Sequence, residues 1–178
     1  MKKYFTLMVL AIFGGLFMIS CDRVVETTPV QDNDTYSKVY DITENFVKSN
    51  TSNSLYGINK EFVTPLYNSD VVLVYRQDGT SGGSPIWKLL PKTYFLSQGE
   101  LDYNFDFSKY DVQIYANANF DMVAQDAAFK NSYLNNQKFR IVIVPASFGA
   151  RNSSSVNYDD YNAVIKYYKI DDSKVKSL

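Results

Sequence analysis

Few residues in this chain have the types and spacing that chemistry needs. Gly79-Thr80-Ser81-Gly82-Gly83 carries the G-x-S-x-G spacing that surrounds a nucleophilic serine. That chemistry requires a base for the Ser81 proton, a group to orient the base, and donors for the oxyanion. The chain contains no histidine, so a Ser-His-Asp triad cannot be built. A Ser-Lys pair is the remaining route, and no lysine is singled out for it. An apolar run precedes the segment but no helical pattern follows, so the glycines read as a hairpin loop. Asp102, Asn104 and Asp106 have the alternating spacing that opens a calcium loop. Phe107 stands where such a loop needs glycine, and Gln113 where it needs a bidentate glutamate. These three side chains therefore read as the solvent face of a strand. Paired carboxylates for glycoside hydrolysis can be distant in sequence, and among nineteen acidic residues no pair is marked out. The one cysteine, Cys21, excludes an intrachain disulfide and every multi-cysteine metal site. Without histidine the commonest general base and transition-metal ligand are also missing. No cofactor and no metal is implied.

Aromatic residues are the other group that could recognise something. The chain has fifteen tyrosines and twelve phenylalanines, more than a core of this size needs. Most fill the interior or form cross-strand pairs. Trp87, Tyr94, Tyr115 and Tyr167 are the candidates to face water, where a ring stacks on a sugar or anchors a protein partner.

The elements that must position these residues are mostly strands. Leu101 to Ser108 alternates apolar and polar without error, placing Leu101, Tyr103, Phe105 and Phe107 on one face. Val112, Ile114, Ala116 and Ala118 repeat the pattern after a short turn, which predicts a hairpin. Val71 to Tyr75 and Phe139 to Val144 are apolar on both faces and suit central strands covered on both sides. Ile86 to Leu96, broken by Pro91, predicts an edge strand or bulge. Tyr40 to Phe46 and Tyr56 to Phe62 echo each other, and they read as two strands paired antiparallel with Glu44 and Lys60 as neighbours. Helical spacing appears in Tyr161, Val164, Ile165 and Tyr168, with Asn157 as the expected cap. A weaker helical candidate runs from Asp121 to about Tyr133. Together these predict a mainly β fold, an antiparallel sandwich or open barrel of about seven strands with a short C-terminal helix.

The N-terminal residues bear on location. Residues 1–20 carry Lys2 and Lys3, then an apolar stretch from Tyr4 to Ile19, and read as a signal peptide. Met18-Ile19-Ser20-Cys21 resembles the lipobox of bacterial lipoproteins. The resemblance implies diacylglycerol on the Cys21 thiol, cleavage before Cys21, and often acylation of the new amino group. Two or three acyl chains give a firm membrane anchor, whereas one is marginal. Residues 22–35 are polar, contain Pro29 and show no period, so 21–35 reads as the lipidated cysteine and a flexible tether. Residues 36–178 form the globular domain. Without residues 1–20 the chain holds 16 basic and 19 acidic residues, a balance that gives no footprint for nucleic acid.

The domain also resembles a group of small cell-envelope lipoproteins of the Bacteroidota. The likeness rests on VVLVYR (71–76), IWKLLP (86–91), GELDYNFDF (99–107), DVQIYANANFD (111–121) and FRIVIVPASF (139–148). It implies a β-rich module held by lipid in the cell envelope, with the outer membrane the expected site. It brings no activity and no functional residue. The expected function is non-enzymatic, binding an envelope protein or a glycan or supporting an assembly. The rival expectation is an envelope hydrolase that uses paired carboxylates or a Ser-Lys dyad.

Overall fold

The computed structural model describes residues 37–145 and 156–178. The stretches read as signal peptide and tether, with Cys21 between them, lie outside the described residues. Ten strands form two five-stranded sheets that are not closed into a barrel. The first sheet has the order β10 (Lys176–Ser177), β1 (Lys38–Glu44), β9 (Gln137–Val144), β4 (Val71–Ser81), β5 (Ser84–Leu89). The second runs β2 (Val47–Lys48), β3 (Leu55–Glu61), β8 (Asp111–Ala118), β7 (Gly99–Phe107), β6 (Lys92–Leu96). All pairings are antiparallel except the short parallel contact of β1 with β10. The sandwich is thus as the alternation predicts, with ten strands instead of about seven. The stretch 86–96 divides into β5 and β6 on either side of Pro91, and two-residue strands β2 and β10 close one edge of each sheet. Pro91, which has no N–H to give a ladder, stands where the chain crosses between the edge strands of the two sheets.

Side-chain alternation builds the core. On β7, Leu101 and Tyr103 are fully buried, Phe105 is half-buried and Phe107 emerges at the strand end. On β8, Val112, Ile114 and Ala116 point into the same interior. Across from them stand Ile42, Val72, Val74, Phe139, Ile141 and Ile143 of the first sheet. The opposite faces of β4 and β9 are also covered. Tyr75, Val142 and Val144 pack with Tyr161, Val164 and Tyr168 of the C-terminal helix α2 (Tyr161–Tyr168), and a shorter helix α1 (Ala127–Tyr133) precedes β9. That third layer explains why both strands read as apolar on both sides.

Three local expectations are corrected. The echoing strands β1 and β3 do not pair; β1 runs beside β9 and β3 beside β8, each over seven residues. Between β1 and β2 the chain leaves one sheet for the other, carried by Phe46. Its ring packs on Tyr103 of one sheet and Phe139 of the other, with centroids 5.8 and 5.9 Å away. Its N–H donates to the Leu134 carbonyl at 2.8 Å. Glu44 and Lys60 do form an ion pair, but between sheets. The cap of α2 is Asp160, whose carboxylate accepts from the N–H groups of Asn162 and Ala163. Asn157 instead accepts from the Asp159 N–H in the turn before it. The weaker helical candidate shrinks to α1, because Asp121 ties the N–H groups of Val123 and Ala124 into a turn and Asp126 supplies the cap.

Candidate functional site

Arg76 ends the apolar run of β4 on the face of Val72 and Val74, so its side chain is carried into the rim of the interior. Its residue is only 5% exposed. A guanidinium held out of water needs partners for its N–H groups. Nη1 donates to the Tyr94 hydroxyl oxygen at 3.0 Å and to Asp78 Oδ1 at 3.3 Å. Nη2 donates to Gln137 Oε1 at 2.6 Å and to the Ser132 carbonyl at 3.1 Å. Nε has no hydrogen-bond partner among the described residues. The guanidinium carbon also lies 4.7 Å from the centre of the Tyr103 ring and 5.2 Å from that of Tyr94. Burial raises the Tyr94 phenol above its ordinary pKa, and the facing Arg76 charge only partly opposes this.

These contacts draw residues from β4, β6, α1 and β9 to one place. There they line a cleft of about 450 Å³ with an open mouth, walled by Arg76, Asp78, Tyr94, Tyr133, Asn136 and Lys138 among others. Both terminal nitrogens of Arg76 are already engaged. It therefore works as a scaffold that fixes the Tyr94 hydroxyl and the Gln137 amide. The groups left to meet a ligand are amides, one lysine, one carboxylate and two phenol rings. Such a lining suits a polar, hydroxyl-rich molecule with a ring to stack, more than an apolar one.

The four aromatic candidates do not come together. Tyr94 alone lines this cleft. Trp87 is half-buried on the other side of the first sheet, where its ring covers the Arg140 guanidinium at 4.5 Å. Arg140 there grips both carboxylate oxygens of Asp41 at 2.7 Å and donates to the Tyr161 hydroxyl at 2.8 Å. Tyr161 in turn donates to Asp172 at 3.0 Å. Trp87 thus belongs to the fastening of α2. Tyr167 packs edge-on to Tyr168 against the same cluster. Tyr115 lies on the outer face of the second sheet, donating to Asp106 at 2.8 Å.

Sequence spacing did not single out Arg76 or Arg140. A partial signal was present: each stands two residues from a buried valine on its strand, Val74 for Arg76 and Val142 for Arg140, which carries it to the edge of a packed face. Ser81 sits at the exposed tip of the β4–β5 hairpin. Its following glycines, Gly82 and Gly83, have φ of 56° and 84°, as a two-residue turn of the I′ kind requires. Asp102 and Asp106 accept hydrogen bonds from Thr93 and Tyr115 on the outer face of the second sheet. Four of the clefts that indent the described residues are each lined by a single carboxylate: Asp78, Glu44, and Asp70 twice. No group of three metal-ligating side chains occurs among the described residues. No helix there is long and apolar enough to cross a membrane.

Fold and cleft together define a two-sheet β-sandwich with one helix-covered outer face and a polar cleft at the rim of its core. Compared with protein-family models, curated proteins and solved structures, the chain matches none.

Proposed function

We propose that this protein is a lipid-anchored module of the cell envelope, held in the outer membrane through Cys21, whose sandwich binds a glycan without transforming it. The observation that carries the binding reading is the cleft around Tyr94, where Arg76 holds the phenol hydroxyl in place beside exposed amides and Lys138. Sugar hydroxyls pair with amides and carboxylates, while an aromatic ring stacks on the sugar face. The pre-set geometry lowers the ordering cost of binding. A hydrolase reading would draw support from two convergent carboxylates in one cleft; the Tyr94 cleft is lined by one, Asp78.

The test uses the detergent-solubilised lipoprotein and polysaccharides extracted from the same envelope. Retardation in affinity electrophoresis is the expected result, weakened at least about tenfold by Tyr94→Ala, the scale of losing about 1.4 kcal/mol of contact. Binding that is absent, or indifferent to Tyr94→Ala and to Lys138→Ala, overturns the cleft as the site. The anchor is tested separately. Metabolic labelling with palmitate marks the native chain and leaves a Cys21→Ser chain unmarked.

A further inference from the structure

The exposed apolar side chains of the domain are not scattered evenly. Nine large apolar residues stand exposed among those described, and five of them fall on two neighbouring segments. Val63 (87% exposed), Tyr67 (58%) and Val71 lie along the connection from β3 to β4; Phe107 (43%) and Tyr110 (56%) lie at the β7–β8 turn. The two segments are fastened to each other. The Phe62 N–H donates to the Tyr110 carbonyl, and the Leu66 N–H to the Lys109 carbonyl, both at 2.7 Å. The Tyr67 N–H is received by Asp70 at 3.1 Å. One cleft is lined by Leu66, Tyr67, Phe107 and Lys109 together with the polar Asn68, Asp70 and Ser108, so the two segments meet there.

The same patch lies where the chain enters the domain. Lys38 is the first residue of β1, and one cleft brings it together with Pro65, Leu66, Tyr67, Ile143 and Pro145. Sixteen residues, 22–37, connect Cys21 to Lys38. Sixteen residues reach at most about 55 Å when fully extended. The eleven residues of β4 alone span about 35 Å. The patch therefore lies at the end of the domain where the chain from Cys21 joins it, and the hairpin tip at Ser81 lies at the far end of β4.

We infer that this patch is a membrane-contact surface: Val63, Tyr67, Phe107 and Tyr110 sit in the lipid interface, with Lys38 and Lys109 meeting headgroup phosphates. The inference rests on the lipid anchor at Cys21. Tyrosine suits the depth, since its ring is apolar and its hydroxyl reaches water. Lys109 lies with its amine 4.8 Å from the centre of the Tyr110 ring, so the cation stands beside the aromatic that enters the interface. Of the nearby acids, Asp70 accepts the Tyr67 N–H and Asp111 the Ser108 hydroxyl, while Glu61, opposite Asp111 in the β3–β8 register, is exposed at the border of the patch. The result is a second, weaker attachment that fixes orientation and turns the Tyr94 cleft into a defined position above the membrane.

The experiment uses full-length lipidated protein in vesicles of phosphatidylethanolamine with about one part in five phosphatidylglycerol. Nitroxide labels are placed on Tyr110→Cys, on Val63→Cys and on Ser81→Cys, the acylated Cys21 being unreactive. Lipid-soluble oxygen should relax the labels at 110 and 63 several-fold more than a water-soluble nickel complex does, and the label at 81 should show the reverse. Labels at 110 and 63 as wet as the one at 81, on protein that floats with the vesicles, overturn the inference and leave the anchor standing. Protein that does not float overturns the anchor, and the inference with it. Labels wet in pure lipid but shielded in whole envelopes assign the patch to a protein partner and also overturn it.

Discussion

At the scale of single residues, Arg76 is the side chain on which most depends. Its four hydrogen bonds satisfy Gln137, the Ser132 carbonyl, Tyr94 and Asp78 at once. Arg76→Ala strands several of these groups in a place water reaches poorly, and a loss of about 3 kcal/mol in urea unfolding is expected. Tyr94→Phe is the contrasting case. It keeps the ring over the guanidinium, removes one acceptor, and should lower stability by no more than about 1 kcal/mol. A glycan should nevertheless bind it less well, because the fixed hydroxyl is gone. Thermal or urea unfolding beside a binding titration separates the two effects: stability lost and affinity kept in Tyr94→Phe would contradict the role given to the hydroxyl. Composition and spacing made Tyr94 a candidate but could not tell it from Trp87, Tyr115 and Tyr167. The difference lies in what each ring meets. Trp87 meets Arg140 of β9, a residue 53 positions away, and no local pattern reports a contact of that kind.

At the scale of elements, a period of two found β7 and β8 with their faces, but not the two-residue strands β2 and β10. β7 and β8 were legible residue by residue because one face is buried and the other wet. The pairing of β1 and β3 was not legible. Their separation into two sheets follows from Phe46 bridging Tyr103 and Phe139, a contact made only after both sheets exist. The α2 cap was displaced by three residues for a related reason: Asn157 and Asp160 are both competent caps, and packing of Tyr161 against Tyr75 and Trp87 selects the later one. Asp160→Ala should therefore remove about 1 kcal/mol, whereas Asn157→Ala should have a smaller effect; equal losses would place the helix start elsewhere. Gly99 tests the β6–β7 turn. Its φ is 139°, and an added Cβ would fall 2.1 Å from Asn119 Oδ1. That oxygen accepts the Glu100 N–H at 2.9 Å, so it cannot withdraw freely. Gly99→Ala should lower the urea midpoint by the equivalent of about 2 kcal/mol, from backbone strain and the displaced hydrogen bond.

At the scale of the whole molecule, the abundance of tyrosine makes alkali the condition that unfolds it. Tyr75, Tyr103 and Tyr161 have their phenols raised well above the ordinary value near 10, each first of all by burial. Arg140 opposes the rise at Tyr161 and Arg76 opposes it at Tyr103, but neither overcomes it. The sign follows from which state keeps the proton. Above pH 10 these phenols ionise in the unfolded chain and stay protonated in the folded one. The unfolded state then binds fewer protons, so stability is intact below pH 10 and falls as pH rises beyond it. Each such group contributes about 1.4 kcal/mol per pH unit, and three together about 4. A domain of this size has about 5–15 kcal/mol to lose, so one or two pH units past 10, where the folded phenols still hold their protons, remove a large share of it. Tyrosinate absorbance near 295 nm and circular dichroism, followed together from pH 9 to 13, check this. At least three of the fifteen tyrosines should ionise in one cooperative step that coincides with loss of sheet signal. Should all fifteen titrate smoothly while the sheet signal persists, Tyr75, Tyr103 and Tyr161 would have to be reachable by hydroxide in the folded state, and neither the interior between the sheets nor the layer under α2 could be packed as described.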